Sequence, residues 1–199
     1  RRLYSSELLS LDIYLPESEN LSIAVKTSAE LKSEGSLNAK ALLLEVFGSV
    51  KGELELETQS ADISIGGAGE ILLKGETDAL NVNISGAANL NAKELLANKV
   101  SITSAGSSNL QATAKSSLKA EITGTGNLGL YGEVETLNIK ISGFGEVNAS
   151  ELKAKEAVLK IAGSGKADLD VSDKLDVEIS GSGFVDYSGS PSITERISG

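Results

Sequence analysis

The chain has 199 residues, the length of one ordinary domain, and its 18 basic and 28 acidic side chains give a net charge of −10. It contains no histidine and no cysteine, which excludes Ser-His-Asp triads, Cys-His dyads, histidine-ligated zinc, disulfides and iron–sulfur sites. The acidic balance argues against nucleic acid and anionic lipid as partners, and no stretch has the ~20 apolar residues of a membrane span.

Residues 1–60 predict less regular N-terminal coils with a cap. The strand-rich run LLSLDIYLPESENLSIAV lies in this part of the chain. We expect residues 1–20 to cover one end of the fold, where unpaired strands would otherwise associate edge to edge. The chain starts at Arg1 rather than at methionine, so we expect any signal peptide to have been removed before it.

Residues 61–189 contain a repeat centred on glycine. Each copy reads aliphatic, small, glycine, any residue, small, variable, aliphatic. The clear copies are IGGAGEI (65–71), ISGAANL (84–90), SAGSSNL (104–110), ITGTGNL (122–128), ISGFGEV (141–147), IAGSGKA (161–167) and ISGSGFV (179–185). Their motif glycines, 18 to 20 residues apart, are Gly67, Gly86, Gly106, Gly124, Gly143, Gly163 and Gly181. Weaker copies around Gly48 and Thr27 bring the total to about nine units.

The residues on both sides of each motif glycine alternate between apolar and polar with a period of two, which predicts β-strands. A unit of this length with short strands and glycine bends fits one coil of a parallel β-helix, an all-β solenoid of about nine coils. Only the run 93–99 has a brief helical periodicity. We expect one domain over residues 1–199, with residues 190–199 as a C-terminal tail or cap.

The motif glycines have a physical role in this prediction. The chain must turn sharply between strands while stacked backbones approach closely, and both needs favour glycine at positive φ. Two residues further on, every copy again has a small residue, as in Gly69, Ala88 and Ser108.

The repeated motif, in copies such as ISGFG, IAGSG and ISGSG, resembles that of the head GIN domain of auto-transporter adhesins. The resemblance covers nearly all of the chain. It implies an exported bacterial protein with a right-handed parallel β-helix, and the right-handed crossover rule for parallel strands favours the same hand. No catalytic residue comes with the resemblance.

Asn89, Asn109 and Asn127 occupy one position in consecutive coils. Asparagine tolerates the left-handed region, and stacked amides can hydrogen-bond along a rod. We interpret these residues as a structural ladder that holds the bend, with a polar ligand strip as the alternative.

The densest acidic cluster contains Asp168, Asp170 and Asp186, and Asp168 and Asp186 are equivalent in neighbouring coils. Calcium takes six to eight oxygen ligands, so these carboxylates are the candidate metal ligands. Lys166 and Lys174 are close in sequence and could neutralise the cluster. A solvated acidic face with no cofactor is the preferred interpretation, and calcium is the alternative.

Phe144 and Phe184 fall at or just after bends, where an aromatic ring could contact a sugar or a protein. The preferred interpretation is that each ring packs on a neighbouring coil, with ligand contact as the alternative. Lys140 with Glu121, and Lys160 with Glu178, match as ion pairs between adjacent coils, worth up to about 1 kcal/mol each.

Three functions remain open from the sequence. The leading hypothesis is a non-catalytic exported protein, at the cell surface, in the periplasm or outside the cell, that binds a surface glycan or protein through a face of the rod. The alternative is a structural or oligomerising envelope scaffold, for which self-association as a homo-oligomer is plausible. The third is a carbohydrate-active enzyme, disfavoured because the repeats contain no arginine and few aromatic residues.

Overall fold

The structure is a computed structural model that describes residues 18–199. The predicted cap over residues 1–20 therefore lies almost entirely outside the described residues. The strands are β1 (Ser18–Val25), β2 (Ser28–Val46), β3 (Ser49–Ile65), β4 (Ala68–Ile84), β5 (Ala87–Ser104), β6 (Ser107–Gly143), β7 (Glu146–Gly163), β8 (Lys166–Gly181), β9 (Phe184–Ser188) and β10 (Ser192–Ser198). No helix among these residues is long and apolar enough to cross a membrane.

Each strand from β1 to β8 pairs in parallel with the next along the chain, and β9 and β10 both pair with β8. Most strands bend around a corner of the coil without a break, and β6 is long enough to span two turns. The chain therefore forms a parallel β-solenoid of about nine turns, roughly 19 residues apart. This confirms the predicted all-β fold. Residues 18–60 take part in the same ladders, and β10 extends them into the predicted tail.

The register stacks the motif glycines as the repeat predicts. Gly143 pairs with Gly163, and Gly163 with Gly181. The two weaker copies are also aligned, since Ser28 pairs with Ser49 and Ser49 with Ala68. Sequence spacing alone therefore predicted the register of the stack.

The core consists of aliphatic columns that run along the rod axis. The column two residues before each motif glycine is buried in all seven clear copies. Its members are Ile65, Ile84, Ser104, Ile122, Ile141, Ile161 and Ile179. Ser104 interrupts the column, but its hydroxyl lies 2.7 Å from that of the buried Ser108, so the polar atoms satisfy each other. In β9, which pairs with β8 alone, Val185 is half-buried and Tyr187 is 42% exposed.

Differences in repeat length are absorbed on one side of the coil, away from the glycine bend. The register shifts between β4 and β5 and between β6 and β7 follow Leu72 and Gly129, five residues after the motif glycine. The run 93–99, which has a helical periodicity, is part of β5 and also coincides with a register shift. The extra residues are accommodated there because bulges leave the rest of the ladder intact.

The bends take two forms. At Gly86 the φ angle is not positive, and an added Cβ would overlap the carbonyl oxygen of Gly67 in the preceding coil. At Gly163 φ is +124°, and the nearest atom to an added Cβ is the Gly143 carbonyl oxygen at 2.6 Å. The expectation of positive φ at every motif glycine is therefore wrong for Gly67, Gly86 and Gly106, where close approach of the backbones is the reason for glycine.

Candidate functional site

Two strand faces meet at the glycine bend. The upstream face consists of the outward side chains one, three and five residues before each motif glycine. The downstream face consists of those one, three and five residues after it. Neighbouring coils repeat these positions at the strand spacing of about 4.8 Å, so each position forms a straight row along the rod. Both faces present their rows to solvent.

The three predicted asparagines form one row of the downstream face, which we call the amide row. Asn89 pairs in register with Asn109, and Asn127 occupies the same position one coil on. All three side chains are exposed, and none has a hydrogen-bond partner within residues 18–199. No non-glycine residue in that range has a positive φ. Neither amide–amide hydrogen bonds nor left-handed backbone therefore accounts for these residues.

In the three coils of the amide row, the two flanking rows are uncharged and mostly polar. The hydroxyl groups of Ser107 and Thr125 lie 3.1 Å apart in the adjacent row. The Oδ1 atom of Asn91 accepts a hydrogen bond of 3.1 Å from the backbone N–H of Lys93. The row itself runs into charged residues at both ends, with Glu70 in register below Asn89 and Glu146 in register above Asn127.

A shallow depression of about 390 Å³ lies on the N-terminal part of the downstream face. Ser49, Ala68, Ala87, Asn89 and Ser107 are among the residues that line it. It is open because the first residue after each motif glycine is small in these coils. The row formed by these first residues loses its small side chains at Phe144, which occupies the equivalent position two coils above Ser107.

The two candidate aromatic residues are both exposed on the downstream face. Phe144 is 73% exposed and Phe184 is 58% exposed. Phe184 pairs in register with Lys166 and so continues the amide row beyond its charged end. The interpretation that each ring packs on a neighbouring coil is inconsistent with these exposures.

The three candidate metal ligands are only partly brought together. Asp168 pairs in register with Asp186, and Asp170 lies two residues along β8. The Oδ2 atom of Asp168 accepts a hydrogen bond of 3.1 Å from Lys166, which also lies 3.7 Å from Glu146. Within residues 18–199 no group of three or more acidic side chains is placed to hold a metal ion. The calcium hypothesis gains no support from this arrangement.

A family model described as "Putative auto-transporter adhesin, head GIN domain" matches residues 2–133 and again residues 121–191. The chain belongs to this family. The chain matches no curated protein and no solved structure. The family assignment agrees with the resemblance carried by the glycine motifs.

Most ion pairs among the described residues of this GIN-family chain join neighbouring coils. Lys140 lies 2.6 Å from Glu121, and Lys160 lies 2.7 Å from Glu178, which confirms both predicted pairs. The hydrogen bond from Lys140, and then its positive charge, lower the pKa of Glu121. Lys160 lowers the pKa of Glu178 in the same way. These pairs are exposed, so each contributes little to stability.

Sequence reasoning missed several outward residues of both faces. Phe47 is 61% exposed on the upstream face. Asn148 is exposed downstream, where its Oδ1 accepts hydrogen bonds from the backbone and hydroxyl of Ser150. Counting alternate positions from the motif glycine would have placed both residues outward, because the period of two continues unbroken through the bend region.

Proposed function

We propose that this chain is a non-catalytic, exported binding module that attaches to a surface glycan or protein through a face of its rod. The observation that carries the proposal is the continuous downstream face, on which exposed side chains recur in straight rows over successive coils. A rigid array of this kind suits the recognition of an extended surface. The family description, which names an adhesin head, supports both the binding role and the exported location.

The protonation behaviour of the described residues supports a role without catalysis. A general acid or base at neutral pH needs a carboxyl pKa raised, or a lysine pKa lowered, toward 7. In residues 18–199 every clear shift lowers the pKa of a carboxyl group or raises the pKa of a lysine, and so favours the charged form. Hydrogen bonds within surface ion pairs are the main cause, as they are for Glu53, Lys74, Lys155, Lys166, Lys174 and Asp176.

The proposal is tested by binding of the purified chain to arrays of glycans and host-matrix proteins, with calcium and with a chelator. We expect saturable binding, and a rise in melting temperature with the ligand that binds, because a ligand of the native state stabilises it. Loss of binding in chelator would show that a divalent cation is required and would point to the Asp168–Asp186 region. An array without any binding would overturn the proposal and favour an envelope scaffold.

A further inference from the structure

The central downstream face lacks charge although the chain is rich in it. The chain has 18 basic and 28 acidic side chains, yet none occupies an outward position of this face between Glu70 and Glu146. We call this region the amide patch; it contains Asn89, Asn91, Asn109, Gln111, Thr125 and Asn127. It spans three consecutive coils, beyond which the charged residues resume.

The amides of the patch are available to a ligand. The side chains of Asn89, Asn109 and Asn127 are exposed and have no hydrogen-bond partner in residues 18–199. Each side-chain amide offers two donor hydrogens and an acceptor oxygen. A partner that matches the row must therefore both donate and accept hydrogen bonds, as hydroxyl groups do.

The charge of the chain selects between classes of hydroxyl-rich partner. An anionic polymer would approach a molecule of net charge −10 and would find no cation at the outward positions of the patch, where Lys93 lies only at the edge, over the ring of Tyr131. A cationic polymer would be drawn instead to the acidic positions outside the patch, such as Glu70. An uncharged ligand avoids the desolvation of ions against a neutral surface. The patch therefore fits a neutral partner.

The spacing of the row indicates an extended partner. The three amides repeat at about 4.8 Å along the axis of the rod, which suits a chain with a regular repeat more than a single small molecule. Phe144 is 73% exposed in the coil above Asn127 and can accept the apolar C–H face of a sugar ring. It continues the neighbouring row of Ser107 and Thr125, two residues before Glu146, and so places an aromatic platform beside the end of the amide row.

We propose that the amide patch binds an uncharged polysaccharide that lies along the rod axis, with hydroxyl groups bonded to the amide row and one ring stacked on Phe144. This inference rests on the proposed binding function and names the ligand class and the face. It makes the amide row a ligand strip.

The test measures retention of the full chain on cellulose, β-1,3-glucan and mannan, which are uncharged, and on alginate and heparin, which are anionic. An oligosaccharide of the retained polymer is then titrated by calorimetry. We expect binding to an uncharged polymer that is insensitive to added salt, since no ion pairs form. We expect Asn89→Ala with Asn109→Ala to weaken it about tenfold, and Phe144→Ala to weaken it about fivefold.

Matched controls lie on the upstream face. Asn83→Ala with Asn138→Ala removes two exposed asparagines, and Phe47→Ala removes an exposed aromatic ring. These variants should bind like the unmodified chain. Circular dichroism of every variant checks that the fold is intact.

Three results would overturn the inference. These are retention only by anionic polymers, equal losses in the patch and control variants, or unchanged affinity in the patch variants. Binding to matrix proteins on the arrays without retention by any polysaccharide would leave the proposed function standing and reject this ligand class. Absence of binding in all assays would reject both.

Discussion

The glycine bends of the early coils, at Gly67, Gly86 and Gly106, differ from those of the later coils in the backbone conformation of the motif glycine. In the early coils the motif glycine lies against the carbonyl of the coil below, with φ outside the left-handed region. In the later coils the motif glycine has a positive φ, and the carbonyl of the coil below is close there as well, at 2.6 Å from an added Cβ at Gly163. One sequence motif therefore folds into two bends.

The difference explains the residue found two positions after the motif glycine. In the early coils an added Cβ at Gly69 would make only ordinary contacts of 3.4 to 3.5 Å. Ala88 and Ser108 do occupy this position in the next two coils. In the later coils an added Cβ at Gly165 would lie 2.6 Å from Cγ2 of Ile141. At Gly145, Gly165 and Gly183 the core isoleucine of the preceding coil leaves no room for a Cβ, whereas at Gly126 the nearest atom is the Ser108 hydroxyl oxygen at 3.0 Å.

The largest effect is expected from Gly86→Ala, since the new methyl would overlap a backbone carbonyl that cannot rotate away. Separating the coils would weaken the ladder on both sides of the bend. We expect the free energy of unfolding to fall by about 3 kcal/mol or more. Urea denaturation followed by circular dichroism measures the change, and a loss below about 1 kcal/mol would contradict the account of the early bends.

Two substitutions at equivalent positions, with smaller expected effects, compare the later coils directly with the early coils. Gly165→Ala should cost about 1–3 kcal/mol, because Ile141 must shift within a packed core. Gly69→Ala, at the equivalent early position, should be neutral or stabilise by up to about 1 kcal/mol through the unfolded chain. The two variants are compared by the same denaturation. Equal effects would show that the two bends do not differ as described.

The smallest effect concerns the buried serine pair, where the early bends give way to the later ones. Ser104→Ala removes one hydroxyl and leaves that of Ser108 without its partner at 2.7 Å, so we expect a loss of about 1–2 kcal/mol. Replacing both serines by alanine should cost less than Ser104→Ala alone, because no buried polar group is then left unpaired. A double-mutant cycle of unfolding free energies gives the coupling. Additive losses would mean that the hydroxyl groups do not interact.

Most of the fold could be predicted from the sequence because two patterns within the repeat specify it. Alternation with a period of two decides which side chains point inward, and the spacing of the glycines decides which residues stack. The buried columns through Ile65 and its equivalents, the register of Gly143 on Gly163, and the ion pair of Lys140 with Glu121 all follow from these two patterns.

The sequence by itself therefore determined the solenoid, its register and its family, and only the tertiary structure decided how each bend is made and which polar side chains lack partners. The φ of Gly86 and the space beside Gly165 depend on atoms of the coil below, which no local pattern describes. Whether Asn89 and Asn109 bond to each other depends on side-chain orientation across two coils. These features arise from contacts between residues about 20 positions apart, and stacking alone brings such residues together.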